Sequence, residues 1–130
     1  MRPTKDPRRE AGTTIVEAVF TVTATFAVFL GIFQYCLYAH AQGLAHQAAV
    51  TAVSETRRQG GTPEAGQAAG AGFLDSSTSL LRGANISTGR TATTATATVT
   101  GTVWSFLPWQ PGGLLVREEV TAPVERWVPR

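Results

Sequence analysis

Glu17 is the only acidic residue at the edge of a long apolar run, and it raises the first chemical question about this chain. No Asp, Glu, Lys or Arg occurs between Ala18 and Ser54. A carboxylate in apolar surroundings is costly when unpaired and tolerable when a positive group neutralises it. Glu17 is therefore either an acid at a helix end, where it favours the helix N-terminus, or a residue that pairs with a partner's positive charge.

The other reactive side chains do not form a recognisable catalytic or metal site. His40 and His46 are about 240° apart around a helix, so they do not share a metal-binding face. Cys36 is the only cysteine, which leaves a small apolar residue near a membrane boundary, an intermolecular disulfide or an acylation site. Asp75 and the two serines after it indicate a helix end. No nucleophile pair or phosphate-binding loop is present, so we expect no enzyme activity, cofactor, metal or small-molecule substrate.

The positive charge of the chain is concentrated at its start. Residues 1–12 carry four basic and two acidic side chains, and the remaining residues carry seven of each. The pI near 9.2 thus reflects the first twelve residues rather than a basic stripe that could follow a phosphate backbone. We expect no binding to nucleic acid.

The apolar run from Ile15 to Tyr35 has the length of a membrane span. Its 21 residues would form a helix of about 31 Å, which matches the hydrocarbon core of a bilayer. Aromatic residues cluster at its far end, as in an interfacial belt. A buried soluble helix and a secretory signal peptide are the alternatives. Ala39-x-Ala41 could serve as a signal-peptide cleavage site, but the run is longer than a typical signal.

The basic residues before the span predict its orientation. Cytoplasmic flanks of membrane helices carry an excess of Lys and Arg, and none occurs here between Glu17 and Arg57. The sequence therefore predicts a single-pass protein whose N-terminus is cytoplasmic and whose C-terminal domain is outside.

The helical pattern continues beyond the span. Small apolar residues recur at steps of three or four and predict one stripe that packs against a sheet: Leu37, Ala41, Leu44, Ala48 and Ala52. Basic residues and a glycine pair end the pattern near Arg58. We expect one helix from about Thr13 to about Arg58.

A small domain follows, with a short helix and a β-hairpin. Thr62 is the expected N-cap of the helix, with Pro63 as its first residue, although Gly66, Gly70 and Gly72 weaken this helix prediction. Strict alternation of Thr with Ala, Gly and Val over 94–103 predicts a strand, with a disordered or glycosylated Thr-rich linker as the alternative.

The second strand of the hairpin follows the turn at 108–113. Its apolar face holds residues of one parity, namely Leu114, Val116, Val120, Ala122 and Val124. Pro123 cannot donate a ladder hydrogen bond, so we expect this strand at an edge or a bulge.

Residues 8–60 resemble the start of TadE-like proteins, the pseudopilins of tight-adherence (Flp-type) pilus systems. The resemblance rests on a basic leader, the entry Gly12-x-x-x-Val16-Glu17, a span ending near Gly31 and Tyr35, and an Ala-rich tail from Ala48 to Arg58. It departs from the family in lacking a mid-span proline and in the polar pair Thr13 and Thr14.

The resemblance implies a fold, a processing site and partners. It implies a pilin-like α+β fold, with a leader (1–12), a transmembrane helix (13–36), an extracytoplasmic continuation (37–58) and a small domain (59–130). A prepilin peptidase would cut after Gly12, leaving Thr13 as the mature N-terminus. Glu17 would pair with the free N-terminal amine of a neighbouring pilin.

The expected function is structural: a part of a Flp-type pilus assembly or secretion apparatus in the cell membrane, with membrane lipid, prepilin peptidase and other pilins as its partners. An uncleaved, membrane-anchored binding module is the alternative.

Overall fold

The computed structural model describes residues 7–77 and 80–126 of the chain. Two helices precede three strands: α1 (Pro7–Arg57), α2 (Pro63–Ser77), β1 (Arg82–Arg90), β2 (Thr94–Val103) and β3 (Leu114–Pro123). The expected α+β class is confirmed, because the second half of α1 packs against a small antiparallel sheet. The chain divides between Tyr35 and Cys36 into two compact units, which we call unit 1 and unit 2.

Helix α1 begins earlier than the sequence predicts. We expected its start near Thr13, but the helix begins at Pro7. Proline suits the first helical position, because its missing N–H would be unpaired there in any case. The Arg, Glu and Ala residues that follow are good helix formers. Residues 1–6 of the leader lie outside the described residues.

The first part of the apolar run of α1 is exposed on all sides. Every side chain from residue 12 to residue 29 is exposed, including Phe20 at 75%. Three threonine hydroxyls in this stretch donate to the carbonyl four residues back, at 2.8 Å each: Thr21, Thr23 and Thr25. These bonds pair polar groups within the helix and so reduce the cost of placing it in lipid.

The sheet of unit 2 has the strand order β1-β2-β3, with both pairings antiparallel. In the central strand the alternation is confirmed: residues 95, 97, 99, 101 and 103 are buried and the threonines between them face outward. The expected hairpin of β2 and β3 is present, and Pro123 ends the edge strand β3. Strand β1 was not predicted, because RGANISTGR has two glycines and only one buried apolar residue, Ile86.

Helix α1 covers the inner face of the sheet with small residues. The buried positions are Ala41, Ala45, Ala48, Ala49, Ala52 and Val53. They form a wider face than the predicted stripe, whose two leucines, Leu37 and Leu44, are only partly buried. Alanine side chains let the helix backbone approach the sheet closely, so the core is thin and consists mainly of Ala and Val.

Helix α2 packs on α1 through two of its glycines. A Cβ on Gly66 would lie 1.9 Å from Thr56 Oγ1 and 2.5 Å from the Ala52 carbonyl oxygen, and one on Gly70 would lie 3.1 Å from the Ala48 carbonyl oxygen. Two of the three glycines that weakened the helix prediction therefore form the helix–helix contact. Thr62 is the N-cap as expected, because its hydroxyl accepts the Ala65 N–H at 3.2 Å.

The C-terminus of α1 is capped by the sheet. Arg90 Nη1 donates to the carbonyl oxygens of Arg58 (2.9 Å) and Gly61 (2.6 Å), and also to that of Thr56. The Glu125 amide donates to the Arg57 carbonyl oxygen at 3.0 Å. A cation and an N–H thus pair with carbonyls that a helix end leaves without partners.

Candidate functional site

The residues assigned to processing and assembly lie on successive turns at the start of the exposed apolar helix. Gly12, Thr13 and Glu17 all belong to α1 and are all exposed. A Cβ at Gly12 would meet no atom within 4 Å, so no other described part of the chain packs against this position. Glycine also costs a helix about 1 kcal/mol relative to alanine, which makes local opening easier at this point.

Glu17 lies one helical turn after Thr13 and among exposed apolar side chains. Val16 is 70% exposed and Phe20 is 75% exposed. The Glu17 carbonyl accepts a bond from the Thr21 hydroxyl, and no ion pair of the Glu17 carboxylate occurs among the described residues. In a bilayer this carboxylate would lie near the edge of the hydrocarbon region, where a positive partner lowers its cost.

The helix that carries these residues is long and apolar enough to cross a membrane. Its most apolar 18-residue window has a mean hydropathy of 2.1, and none of that window is buried. A water-soluble protein rarely exposes so large a continuous apolar surface. A bilayer or other apolar helices would cover it.

The second half of α1 argues against removal of the apolar helix as a secretory signal. The candidate cleavage site ends at Ala41, which is fully buried in the core of unit 2. Leu37 and Tyr38 also pack against that core. Cleavage after Ala41 would therefore remove residues that unit 2 uses to fold.

The two histidines do not form a metal site. His46 Nδ1 lies 3.5 Å from Glu118 Oε2, and Gln42 Nε2 donates to Glu118 Oε1 at 2.7 Å, while His40 is exposed. No group of His, Cys, Asp or Glu suited to a metal occurs in the described part of the chain. Cys36 is exposed and is not in a disulfide.

Glu118 joins the sheet to the helix, a contact that the sequence analysis missed. It lies on the inward parity of β3, between Val116 and Val120. This acid in an otherwise apolar series was the available signal, because an inward carboxylate needs a polar partner on the element above it. Gln42 and His46 supply that partner.

Two of the tryptophans, Trp104 and Trp109, lie in the loop between β2 and β3. Trp104 is 56% exposed and Trp109 is 75% exposed. The Arg82 guanidinium lies 4.7 Å from the centre of the Trp104 ring, and this ring stacks on Phe106 with a centroid distance of 6.2 Å. Trp127 lies outside the described residues.

No protein family, curated protein or solved structure matches this chain.

Proposed function

We propose that the chain is a TadE-like pseudopilin, a structural component of a Flp-type pilus assembly or secretion apparatus. One observation carries the proposal: the entry Gly12-x-x-x-Val16-Glu17 stands at the start of the exposed apolar part of α1, and the second half of the same helix packs against a small antiparallel sheet. A long helix that is apolar in its first part and covered by a sheet in its second part is the architecture expected of a pilin-like subunit.

Anchoring in the cell membrane follows from the exposed part of α1. Residues 13–36 form the span, and the apolar side chains that are exposed in unit 1 contact lipid. The basic leader favours the cytoplasmic side, so unit 2 is extracytoplasmic. This orientation places the peptide after Gly12 at the cytoplasmic surface, where a prepilin peptidase acts on it.

Glu17 acts as the assembly residue in this proposal. Cleavage after Gly12 makes Thr13 the N-terminal residue and Glu17 the fifth residue of the mature chain. The new α-amine is a positive charge at the membrane edge, and the Glu17 carboxylate of a neighbouring subunit neutralises it. In low dielectric such a pair is far stronger than in water, and it sets the axial register between adjacent subunits.

Maturation of the Gly12→Val variant tests the processing step. Valine crowds the scissile peptide and stiffens the helix, so we expect normal membrane insertion but retention of the leader. Gly31→Val is the matched control, because a Cβ at Gly31 also meets no atom within 4 Å and this glycine lies far from the cleavage site. Intact-mass measurement of membrane fractions gives the N-terminus of each variant. A mature N-terminus at Thr13 in Gly12→Val would contradict the assignment.

Topology is tested separately, in a background that carries Cys36→Ser and also Gly12→Val, so that the leader is retained. Single cysteines are placed at Thr4 in the leader and at Thr121, which is exposed on β3, and intact cells are treated with a membrane-impermeant maleimide. We expect labelling at Thr121→Cys only. Labelling of Thr4→Cys from outside would reverse the orientation.

Neutralising Glu17 tests the assembly role. Glu17→Gln removes the charge at almost constant size, so insertion and cleavage should persist while crosslinking to other pilins falls. Glu17→Asp keeps the charge and is the control. Equal crosslinking yields for wild type and Glu17→Gln would show that Glu17 is only an acid at a helix end. Retention of residues 1–12 in the wild-type protein would instead favour the uncleaved binding module.

A further inference from the structure

The loop between β2 and β3 lies at the end of unit 2 where the chain enters at Cys36. Two contacts establish this: Glu118 near the middle of β3 bonds Gln42 at 2.7 Å, and Glu125 just after β3 bonds Arg57 at 3.0 Å. Strand β3 therefore runs in the same direction as the second half of α1. Its last residues lie beside the end of α1, and its first residues lie toward Cys36.

The rise of strand and helix gives the level of the loop along α1. From Glu118 back to Leu114 the strand covers about 13 Å, which corresponds to about nine residues of helix. Gln42 and His46 are the helix residues that contact Glu118. About nine residues before the midpoint of this pair, the helix is at the turn around residue 35. The loop 104–113 thus lies level with the first turn of unit 2, at the end of that unit where the chain arrives from the proposed span.

The loop has the composition of a membrane-interface segment. Its sequence, WSFLPWQPGG, contains no charged residue, and Trp104, Phe106 and Trp109 are 56%, 46% and 75% exposed. Tryptophan is enriched where the hydrocarbon core meets the headgroups, because its ring is apolar and its N–H is a hydrogen-bond donor. Arg82 stacks on Trp104 and adds a cation at the edge of the aromatic group, where lipid phosphates would lie.

We infer that the β2–β3 loop is a second membrane contact, in which Trp104, Phe106 and Trp109 enter the interfacial region of the bilayer that holds the span. This inference rests on the proposed membrane anchoring. The span already holds unit 2 beside the bilayer, so the loop meets the membrane at a high effective concentration. A small aromatic contact is therefore sufficient for the loop to bind the membrane. The contact would also orient unit 2 relative to the membrane surface.

Fluorescence quenching by brominated lipids tests the inference on the full chain in liposomes. Trp104→Phe with Trp127→Phe leaves Trp109 as the only tryptophan. Two controls replace all three tryptophans by Phe and add one reporter each. Phe26→Trp reports on the span, and Ala92→Trp reports on the exposed β1–β2 turn, about 30 Å away at the other end of β2.

We expect lipids brominated near the headgroup to quench Trp109 strongly and to leave the Ala92→Trp reporter unquenched, while lipids brominated deep in the chain quench the Phe26→Trp reporter. Circular dichroism checks that each variant is folded. If the Phe26→Trp reporter is quenched and Trp109 is not, the loop contact is wrong and the span stands. Protection of Trp109 from aqueous quencher without quenching by lipid would show a protein partner instead and would also overturn the inference. If the Phe26→Trp reporter is not quenched, the anchoring itself fails.

Discussion

Replacing Gly66 by alanine should destabilise unit 2, although the same change stabilises most helices. At an unhindered interior position Gly→Ala favours a helix by about 1 kcal/mol. At Gly66 the added Cβ would lie 2.5 Å from the Ala52 carbonyl oxygen, which is backbone, and 1.9 Å from Thr56 Oγ1. Thr56 is buried and its hydroxyl donates to the Ala52 carbonyl, so rotating it away would break a buried hydrogen bond.

The size of the effect follows from the displacement that relieves the contact. Ordinary contact begins near 3.4 Å, so α2 must move about 1 Å away from α1, enough to lose between a quarter and a half of the dispersion energy along that seam. Overpacking of this kind costs about 1–3 kcal/mol. After the gain of about 1 kcal/mol in helix propensity, we expect a net loss of up to about 2 kcal/mol, which lowers the Tm of a domain of this size by up to roughly 15 °C.

Gly72→Ala is the matched control within the same helix. Gly72 is exposed, and a Cβ there meets no atom within 4 Å, so this variant should gain up to about 1 kcal/mol. Thermal and urea unfolding of the full chain in detergent, followed by near-UV circular dichroism, would compare the two variants with wild type. A Gly66→Ala protein that is as stable as Gly72→Ala would refute the proposed glycine-mediated contact between α2 and α1.

Two further predictions concern the cap and the core of unit 2. Arg90→Met should cost about 2–3 kcal/mol, because it removes a charged donor to the carbonyls at the end of α1. Arg117→Met is the control: Arg117 is exposed and pairs with Glu119 at 3.9 Å, so this change should cost less than about 0.5 kcal/mol. Equal losses of unfolding free energy for the two variants in urea would argue against the cap. Val99→Ala removes two methyl groups at a fully buried site and should cost about 2–3 kcal/mol. The outward Thr98→Ala should cost below about 1 kcal/mol, and the reverse order would mean that the two faces of β2 were assigned wrongly.

The sequence alone was sufficient for the features that depend on neighbouring residues. The apolar run from Ile15 to Tyr35 has the length of a bilayer-spanning helix, because helix rise is constant. The alternation in 94–103 predicted which face of β2 is buried because side chains alternate along any strand. The N-cap at Thr62 is likewise a local property.

Only the tertiary structure showed the roles of residues whose partners are distant in the chain. Arg90 caps a helix that ends about 33 positions earlier, and a side chain's spacing from its own neighbours carries no information about such a contact. Gly66 weakens a helix in isolation, and only the closeness of α1 makes its missing Cβ an advantage. Strand β1 has a weak pattern of its own and forms because β2 offers it a ladder of hydrogen bonds. The level of the aromatic loop along α1 depends on the register of β3, which is determined by contacts such as that of Glu118 with Gln42 and not by any local sequence pattern.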